Sequence, residues 1–154
     1  MHYVIASFSE PTLAAWRESL GDLPGVTFRT GAGSAVSFDC DAQLMNFYLA
    51  HDRYGGTPEI GRAQVLVNTR NDSSPRYIVA TPPFAGGGPE VTDPAELEER
   101  LHHTFSACFD AISGAVERDP GVIERVLVHV EGMGLEEIGR EPSIRALRRA
   151  LRKT

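Results

Sequence analysis

Two neighbouring stretches decide the fold: DPAELEERLHHTFSACFDAISGAVER at residues 93–118 and VLVHV at residues 126–130. In the first, apolar side chains recur every three or four residues from Leu97 to Val116, which predicts one apolar face of an α-helix. Asp93 before Pro94 is typical of a helix start, and Glu96 completes a capping box. The second stretch is apolar on both faces, as a strand covered on both sides must be. Together they predict a sheet sandwiched between helices.

The rest of the chain alternates between the two kinds of element. Further strands are predicted at residues 3–8, 26–29, 35–38, 63–67 and 77–80. Another helix is capped by Ser9 and closed by Gly21, and a last helix begins near Ser143. Strands that alternate with helices are typical of α/β proteins. We therefore expect one domain over residues 1–154, a three-layer α/β/α sandwich with a mixed, mostly parallel central sheet.

Size and composition agree with one globular domain. The chain has 154 residues, of which 42% are hydrophobic and 23% charged, which argues against disorder. It contains no run near the roughly 20 apolar residues that a membrane helix needs, and its first residues do not resemble a signal peptide. The net charge of −6 disfavours nucleic acids and anionic membranes as partners. These features predict a cytoplasmic protein whose partner is neither nucleic acid nor membrane.

Three predicted loops are candidates for a binding site, because open α/β sheets bind ligands where loops leave the C-terminal ends of strands. They span residues 39–62, 81–92 and 131–140. The first contains NFYLAHDRYGGTP at residues 46–58. Gly55 and Gly56 would let backbone N–H groups approach a ligand, and Arg53 can pair with a phosphate through two hydrogen bonds. Alternatively, His51 is a structural histidine, Tyr54 belongs to the core and the glycines form only a turn.

The other two loops carry weaker signals. Gly132-Met133-Gly134 could cradle a diphosphate with backbone N–H groups, although neighbouring glutamates would repel it. Phe84 could stack on a base or ribose, or it could close the core. Patterns of zinc sites, Walker loops and serine-nucleophile elbows do not occur. We therefore expect no metal and no cofactor, and a hydrolase would have to position water with His51 or Asp52.

The order of these elements, with three short motifs, resembles the macro domain family. The motifs are VTFRTG at residues 26–31, similar to the family's second strand; Asp41-Ala42, similar to the entry to its asparagine loop; and Gly61-x-Ala63, similar to the step before its next strand. The resemblance covers nearly the whole chain. It implies a domain that binds ADP-ribose or a related phosphate-bearing nucleotide and that in some members hydrolyses ADP-ribosyl linkages.

The resemblance also implies roles for particular residues. Asn46 would orient a ribose, Arg53 or the amides of Gly55 and Gly56 would meet phosphate, and the turn at residues 132–134 would form the opposing wall. The predicted ligand-binding residues are Asn46, Arg53, Gly55, Gly56, Phe84, Gly132, Met133 and Gly134.

Two departures from the family pattern support a second hypothesis. Ala32 stands where the family commonly has an aspartate that contacts adenine, and Asn46 is the nearest match to the family's alanine–x–asparagine sequence. The chain could thus be a degenerate macro-like module that acts through protein–protein contacts. In that case side chains would fill the former pocket, and a gap plugged by Met45 and Tyr48 would rule out the nucleotide hypothesis. The residues of an exposed aromatic patch would then be Phe47, Tyr48 and Tyr54.

Overall fold

The computed structural model describes residues 1–31, 39–84 and 93–152 and has an α/β architecture. The strands are β1 (His2–Ser7), β2 (Val26–Thr30), β3 (Ala42–Met45), β4 (Gln64–Val67), β5 (Tyr77–Ala80) and β6 (Arg125–His129). The helices are α1 (Glu10–Leu20), α2 (Phe47–Tyr54), α3 (Pro94–Arg118) and α4 (Leu135–Arg152). Within the described ranges no helix is long and apolar enough to cross a membrane.

The six strands form one sheet in the order β2-β1-β6-β3-β5-β4. Every neighbouring pair is parallel except β4 and β5, which are antiparallel. Strand β6 lies inside the sheet, where Val126 is paired with Tyr3 of β1 on one side and with Ala42 of β3 on the other. The mixed, mostly parallel sheet predicted from the sequence is therefore confirmed.

Both faces of the sheet are covered. On one face, alternate residues such as Ile5 and Val128 pack with Trp16 of α1, Phe105 of α3 and Leu147 of α4 in the largest core cluster. On the other face, the side chains fall into two smaller clusters. One contains Met45, Ile78 and Ala80 beneath Ala50 and Tyr54 of α2, and the other contains Val4, Ala6, Cys40 and Leu127. This arrangement is the predicted three-layer α/β/α sandwich.

The predicted caps of α1 and α3 are confirmed. The Ser9 side chain accepts a hydrogen bond from the Thr12 N–H, and the Asp93 carboxylate accepts one from the Glu96 N–H. The helix predicted from near Ser143 is present as the part of α4 that follows a break at Gly139, and a short helical segment that begins at Leu135 precedes it. This segment ends at Gly139, whose φ of 148° and ψ of 120° break the helix before it continues.

The prediction that residues 39–62 form a loop is also wrong, because this segment contains β3 and α2. Both elements are short, and β3 has the sequence AQLM, which has no β-branched residue. It is a strand because it pairs with β5 along its whole length and with β6 at its start. The strand predicted at residues 35–38 and the departure at Ala32 lie outside the described residues.

Candidate functional site

A cavity of about 460 Å³ lies at the carboxyl edge of the parallel strands, where the chain leaves β3, β5 and β6. Helix α3 forms its remaining wall. We call it the carboxyl-edge cleft. The described residues that line it are Asn46, Phe47, Thr81, Pro82, Phe84, Leu97, Arg100, Leu101, Thr104, Phe105, Met133, Leu135 and Ile138.

Hydrogen bonds join the start of α2 to the end of β5 at the rim of the cleft. The Asn46 Oδ1 caps α2 by accepting a hydrogen bond from the Tyr48 N–H at 3.0 Å. The buried Thr81 accepts a hydrogen bond from the Phe47 N–H at its Oγ1, also at 3.0 Å. Both side chains are therefore held in place through their oxygen lone pairs, and the amide NH2 of Asn46 and the hydroxyl proton of Thr81 can donate to a ligand.

The opposite wall is formed by one face of α3. The Arg100 guanidinium carbon lies 4.4 Å from the centroid of the half-buried Phe84 ring, which is a cation–π contact. Thr104 also lines the cleft, and its Oγ1 donates a hydrogen bond to the Arg100 carbonyl at 3.0 Å. Of the described residues that line the cleft, Arg100 alone carries a charge. The remainder of this wall is apolar.

The turn at residues 132–134 does not form the predicted cradle for a diphosphate. The Gly132 N–H donates to His129 Nδ1 at 3.0 Å, and the Met133 N–H donates to the His129 carbonyl at 3.1 Å. The Gly134 N–H donates to the Glu131 carbonyl at 3.0 Å. Because β6 leads directly into tight turns, these donors are used within the protein. The turn instead contributes the Met133 side chain to the cleft.

His129, Ser7 and Glu131 lie close together near this turn, but they are not arranged as a catalytic triad. Ser7 Oγ donates to Glu131 Oε2 at 2.8 Å, and the other carboxylate oxygen accepts from the Phe8 N–H at 2.6 Å. His129 Nε2 lies 3.3 Å from the Gly31 carbonyl, so a neutral ring protonated at Nε2 satisfies both of its nitrogens. The serine therefore has no hydrogen bond to the histidine, and the cluster has a structural role.

The residues predicted at the end of the first loop lie away from the cleft. Helix α2 carries the chain from Asn46 across the other face of the sheet. At its end the Tyr54 hydroxyl donates to Asp72 Oδ2, in the connection between β4 and β5, at 2.8 Å. That connection precedes β5, whereas the cleft lies at the end of β5. The structure therefore does not place the glycines at 55 and 56 opposite the turn at 132–134.

His51 and its neighbours stabilise the end of α2. The His51 Nδ1 lies 2.9 Å from the Gly55 carbonyl, and the Gly55 N–H donates to the His51 carbonyl at 3.1 Å. Gly56 has a φ of 76°, and a Cβ at this position would approach Leu66 to 3.0 Å. Asp52 and Arg53 are exposed and do not line the cleft. The structural interpretation of this segment, which the sequence left open, fits these contacts.

Of the predicted ligand-binding residues, the structure brings together Asn46, Phe84 and Met133 in the carboxyl-edge cleft. Sequence reasoning missed Thr81, Arg100 and Thr104. A signal for Arg100 was present, since it lies between Leu97 and Leu101 at the edge of the apolar stripe of α3. No short sequence pattern identifies Thr81 or Thr104 as a residue of the cleft.

The aromatic patch of the second hypothesis is not assembled. Tyr48 is 75% exposed, but Tyr54 is only 7% exposed and Phe47 lines the cleft. Met45 packs beneath α2. Neither Met45 nor Tyr48 is among the described residues that line the cleft, so these side chains do not plug it.

Comparisons with known proteins do not identify a family. No protein-family model matches this chain, and no curated protein does. The macro domain resemblance stays a prediction. Among the described residues, no group of three or more histidine, cysteine, aspartate or glutamate side chains is placed to hold a metal ion.

Proposed function

We propose that this chain is a small-molecule-binding domain and that its ligand occupies the carboxyl-edge cleft. The observation that carries the proposal is that the segments after β3, β5 and β6 converge with α3 on one cavity of about 460 Å³. Ligand pockets generally have volumes of roughly 300–1,000 Å³. The position also agrees with the general rule that open α/β sheets bind ligands outside the carboxyl ends of their strands.

The chemistry of the walls supports the same proposal. Small-molecule sites are mostly apolar and contain a few polar groups that fix the orientation of the ligand. Here the apolar walls carry Asn46, Thr81 and Thr104, and the stacked pair of Arg100 and Phe84 lies at one wall. A ring of the ligand could pack against these walls while its polar atoms meet the few polar groups.

ADP-ribose or a related nucleotide is the ligand that the macro domain resemblance implies, and it belongs in the first set of compounds to be tested. Hydrolysis of an ADP-ribosyl linkage is not part of the proposal. The two residues suggested for positioning water, His51 and Asp52, lie on α2 outside the lining of the cleft.

The proposal can be tested by filling the cleft. Thr104 lines it, so Thr104→Phe should occupy part of the cavity and abolish ligand binding. Ser106 lies on the same helix but lines a separate groove beside β4, so Ser106→Phe is a matched control that should keep binding. The measurement is an NMR titration of the full chain with ADP-ribose and with small aromatic acids, amides and amines. If no compound perturbs the amides of Thr81, Arg100 and Met133, the proposal is wrong.

A further inference from the structure

We infer that two copies of this chain associate through the open edge of β4, which pairs antiparallel with β4 of the second copy. The inference goes beyond the proposed function, because this edge lies apart from the carboxyl-edge cleft. It follows from four properties of the edge: its unpaired backbone groups, the lack of charge on the strand, an exposed valine beside a groove, and the opposite charges along that groove.

The backbone of β4 directs one row of hydrogen-bonding groups away from the sheet. In an antiparallel ladder, successive residues alternate between bonding to the neighbouring strand and pointing away from it. The Asn68 N–H donates to the Arg76 carbonyl at 2.8 Å, so in this register the even-numbered residues of β4 bond to β5. Val65 and Val67 therefore direct their N–H and C=O groups to the open edge. Within the described residues these four groups have no hydrogen-bond partner.

No charged side chain or proline protects this edge. Natural edge strands are commonly protected from pairing by charged residues, prolines or bulges. The other edge strand of the sheet, β2, has such a residue in Arg29, which forms an ion pair with Asp39. Strand β4 has the sequence QVLV and pairs regularly with β5 along its whole length. Of the two edges, β4 is therefore the one that is open to a further strand.

A groove of about 670 Å³ lies between β4 and α3. On the α3 side its lining includes the small residues Ala107, Ala111 and Gly114. Val65 also lines it and packs against the largest core cluster, so the groove is on the α3 face of the sheet. Because every second side chain of a strand points to the same face, Val67 lies on this face too, where it is 52% exposed. One face thus has both an exposed valine and space beside small residues.

A second copy of the chain fits both features. With a two-fold axis at Leu66, Val65 of each copy lies opposite Val67 of the other, and the outward N–H and C=O groups of both valines form hydrogen bonds. Side chains that lie opposite each other in an antiparallel pair point to the same face. Val67 of each copy therefore lies beside Val65 at the groove of the other copy. The same surface supplies the inserted side chain and the groove, as a two-fold interface requires.

The charges along the groove also favour a second copy. Asp110 and Arg118 line it about two helical turns apart on α3, and both are exposed. In the described part of the chain neither belongs to an ion pair, whereas Arg62 is paired with Glu59. The two-fold axis makes the two α3 helices antiparallel on one face, so the acidic position of each is directed towards the basic position of the other. Such complementarity sets the orientation of the pair more than its affinity.

Sedimentation velocity of the full chain tests the association. Because one short strand makes a small interface, we expect one chain at about 5 µM and a mass that rises towards two chains at about 500 µM. Val67→Lys should weaken the association about tenfold or more, since each pair contains the substitution twice and a charge blocks an edge strand. Thr27→Lys is the matched control, because Thr27 is exposed on the other edge strand, and it should leave the association unchanged.

Amide hydrogen exchange followed by NMR identifies the surface and needs no variant. The amides of Val65 and Val67 face the open edge, so they should exchange rapidly in dilute protein and become protected as the concentration rises. The Leu66 amide bonds to β5 in the register of the ladder and should stay protected at every concentration, which makes it the internal reference.

Three outcomes would overturn the inference. The first is a chain that stays monomeric at the highest concentration. The second is self-association that leaves the exchange of Val65 and Val67 unchanged, and the third is association that Val67→Lys does not weaken, because in both cases another surface is used. None of these results bears on ligand binding, since neither valine lines the carboxyl-edge cleft.

Discussion

At the scale of single residues, hydrogen bonds decide which polar side chains are available for function. His129 is nearly fully buried and near a serine and a glutamate, yet its two nitrogens face the Gly132 N–H and the Gly31 carbonyl. Glu136 is similarly engaged, since it accepts from Trp16 Nε1 at 3.2 Å and from Arg140 Nη2 at 2.6 Å. Such groups stabilise the fold and have few hydrogen-bond donors or acceptors left for a ligand.

The Glu136 contacts predict a pH-dependent contribution to stability. The hydrogen bond from Arg140, with a smaller contribution from Trp16, lowers the pKa of Glu136 below its ordinary value of 4.5, although desolvation opposes the shift. A lowered pKa in the folded state means that the ionised carboxylate stabilises the fold above pH 4.5 and that this contribution is lost as the pH falls through the lowered pKa. Glu136→Gln should therefore be destabilised near neutral pH and should approach the wild type in acid.

Urea unfolding of both proteins across this pH range measures the effect. Glu137→Gln is the matched control, because Glu137 is the next residue and is exposed. It should change the free energy of unfolding by less than about 0.5 kcal/mol. A difference between wild type and Glu136→Gln that stays constant with pH would contradict the prediction.

At the scale of elements, the strength of the local signals decided what could be predicted. Helices α1 and α3 were predicted because each has a capping residue, a proline in its first turn and an apolar stripe. Strand β3 and helix α2 were missed because they have only 4 and 8 residues, and α2 buries only Ala50 and Tyr54. Partners distant in sequence hold both in place, since β3 pairs with β5 and the N–H of the first α2 residue is bound by Thr81.

Gly139 separates the first turn of α4 from the rest of that helix and permits a test at this scale. Its φ of 148° is unfavourable for residues with a side chain, and an added Cβ would lie 3.0 Å from Pro142 Cγ. Gly139→Ala should therefore destabilise the protein by roughly 1–3 kcal/mol in thermal or urea unfolding.

Gly114, inside α3, is the matched control. A Cβ there would meet only the flexible Arg118 side chain, at 3.6 Å, and alanine is the better helix former. Gly114→Ala should stabilise the protein by about 0.5–1 kcal/mol. If the two substitutions changed the free energy of unfolding equally, the positive φ at residue 139 would not require a glycine there.

At the scale of the whole molecule, stability should depend on position in the sheet. Leu127 of β6 is fully buried near the centre, whereas Val67 of the edge strand β4 is 52% exposed. Leu127→Ala should cost roughly 2–5 kcal/mol, because it leaves a cavity between packed layers. Val67→Ala should cost less than about 0.5 kcal/mol. Urea unfolding of both variants measures the difference, and comparable losses would mean that stability does not depend on position in the sheet.

The sequence by itself determined the fold class, the capped amphipathic helices α1 and α3, and strand β6, which is covered on both faces. These features depend on periodicity and capping, which involve residues a few positions apart. The tertiary structure alone decided that the segments at Asn46, Thr81 and Met133 share one edge of the sheet, that Arg100 faces them, and that the N–H groups of the glycine turn are occupied. Strand order and hydrogen-bond partners join residues far apart in the chain, and no local pattern encodes them.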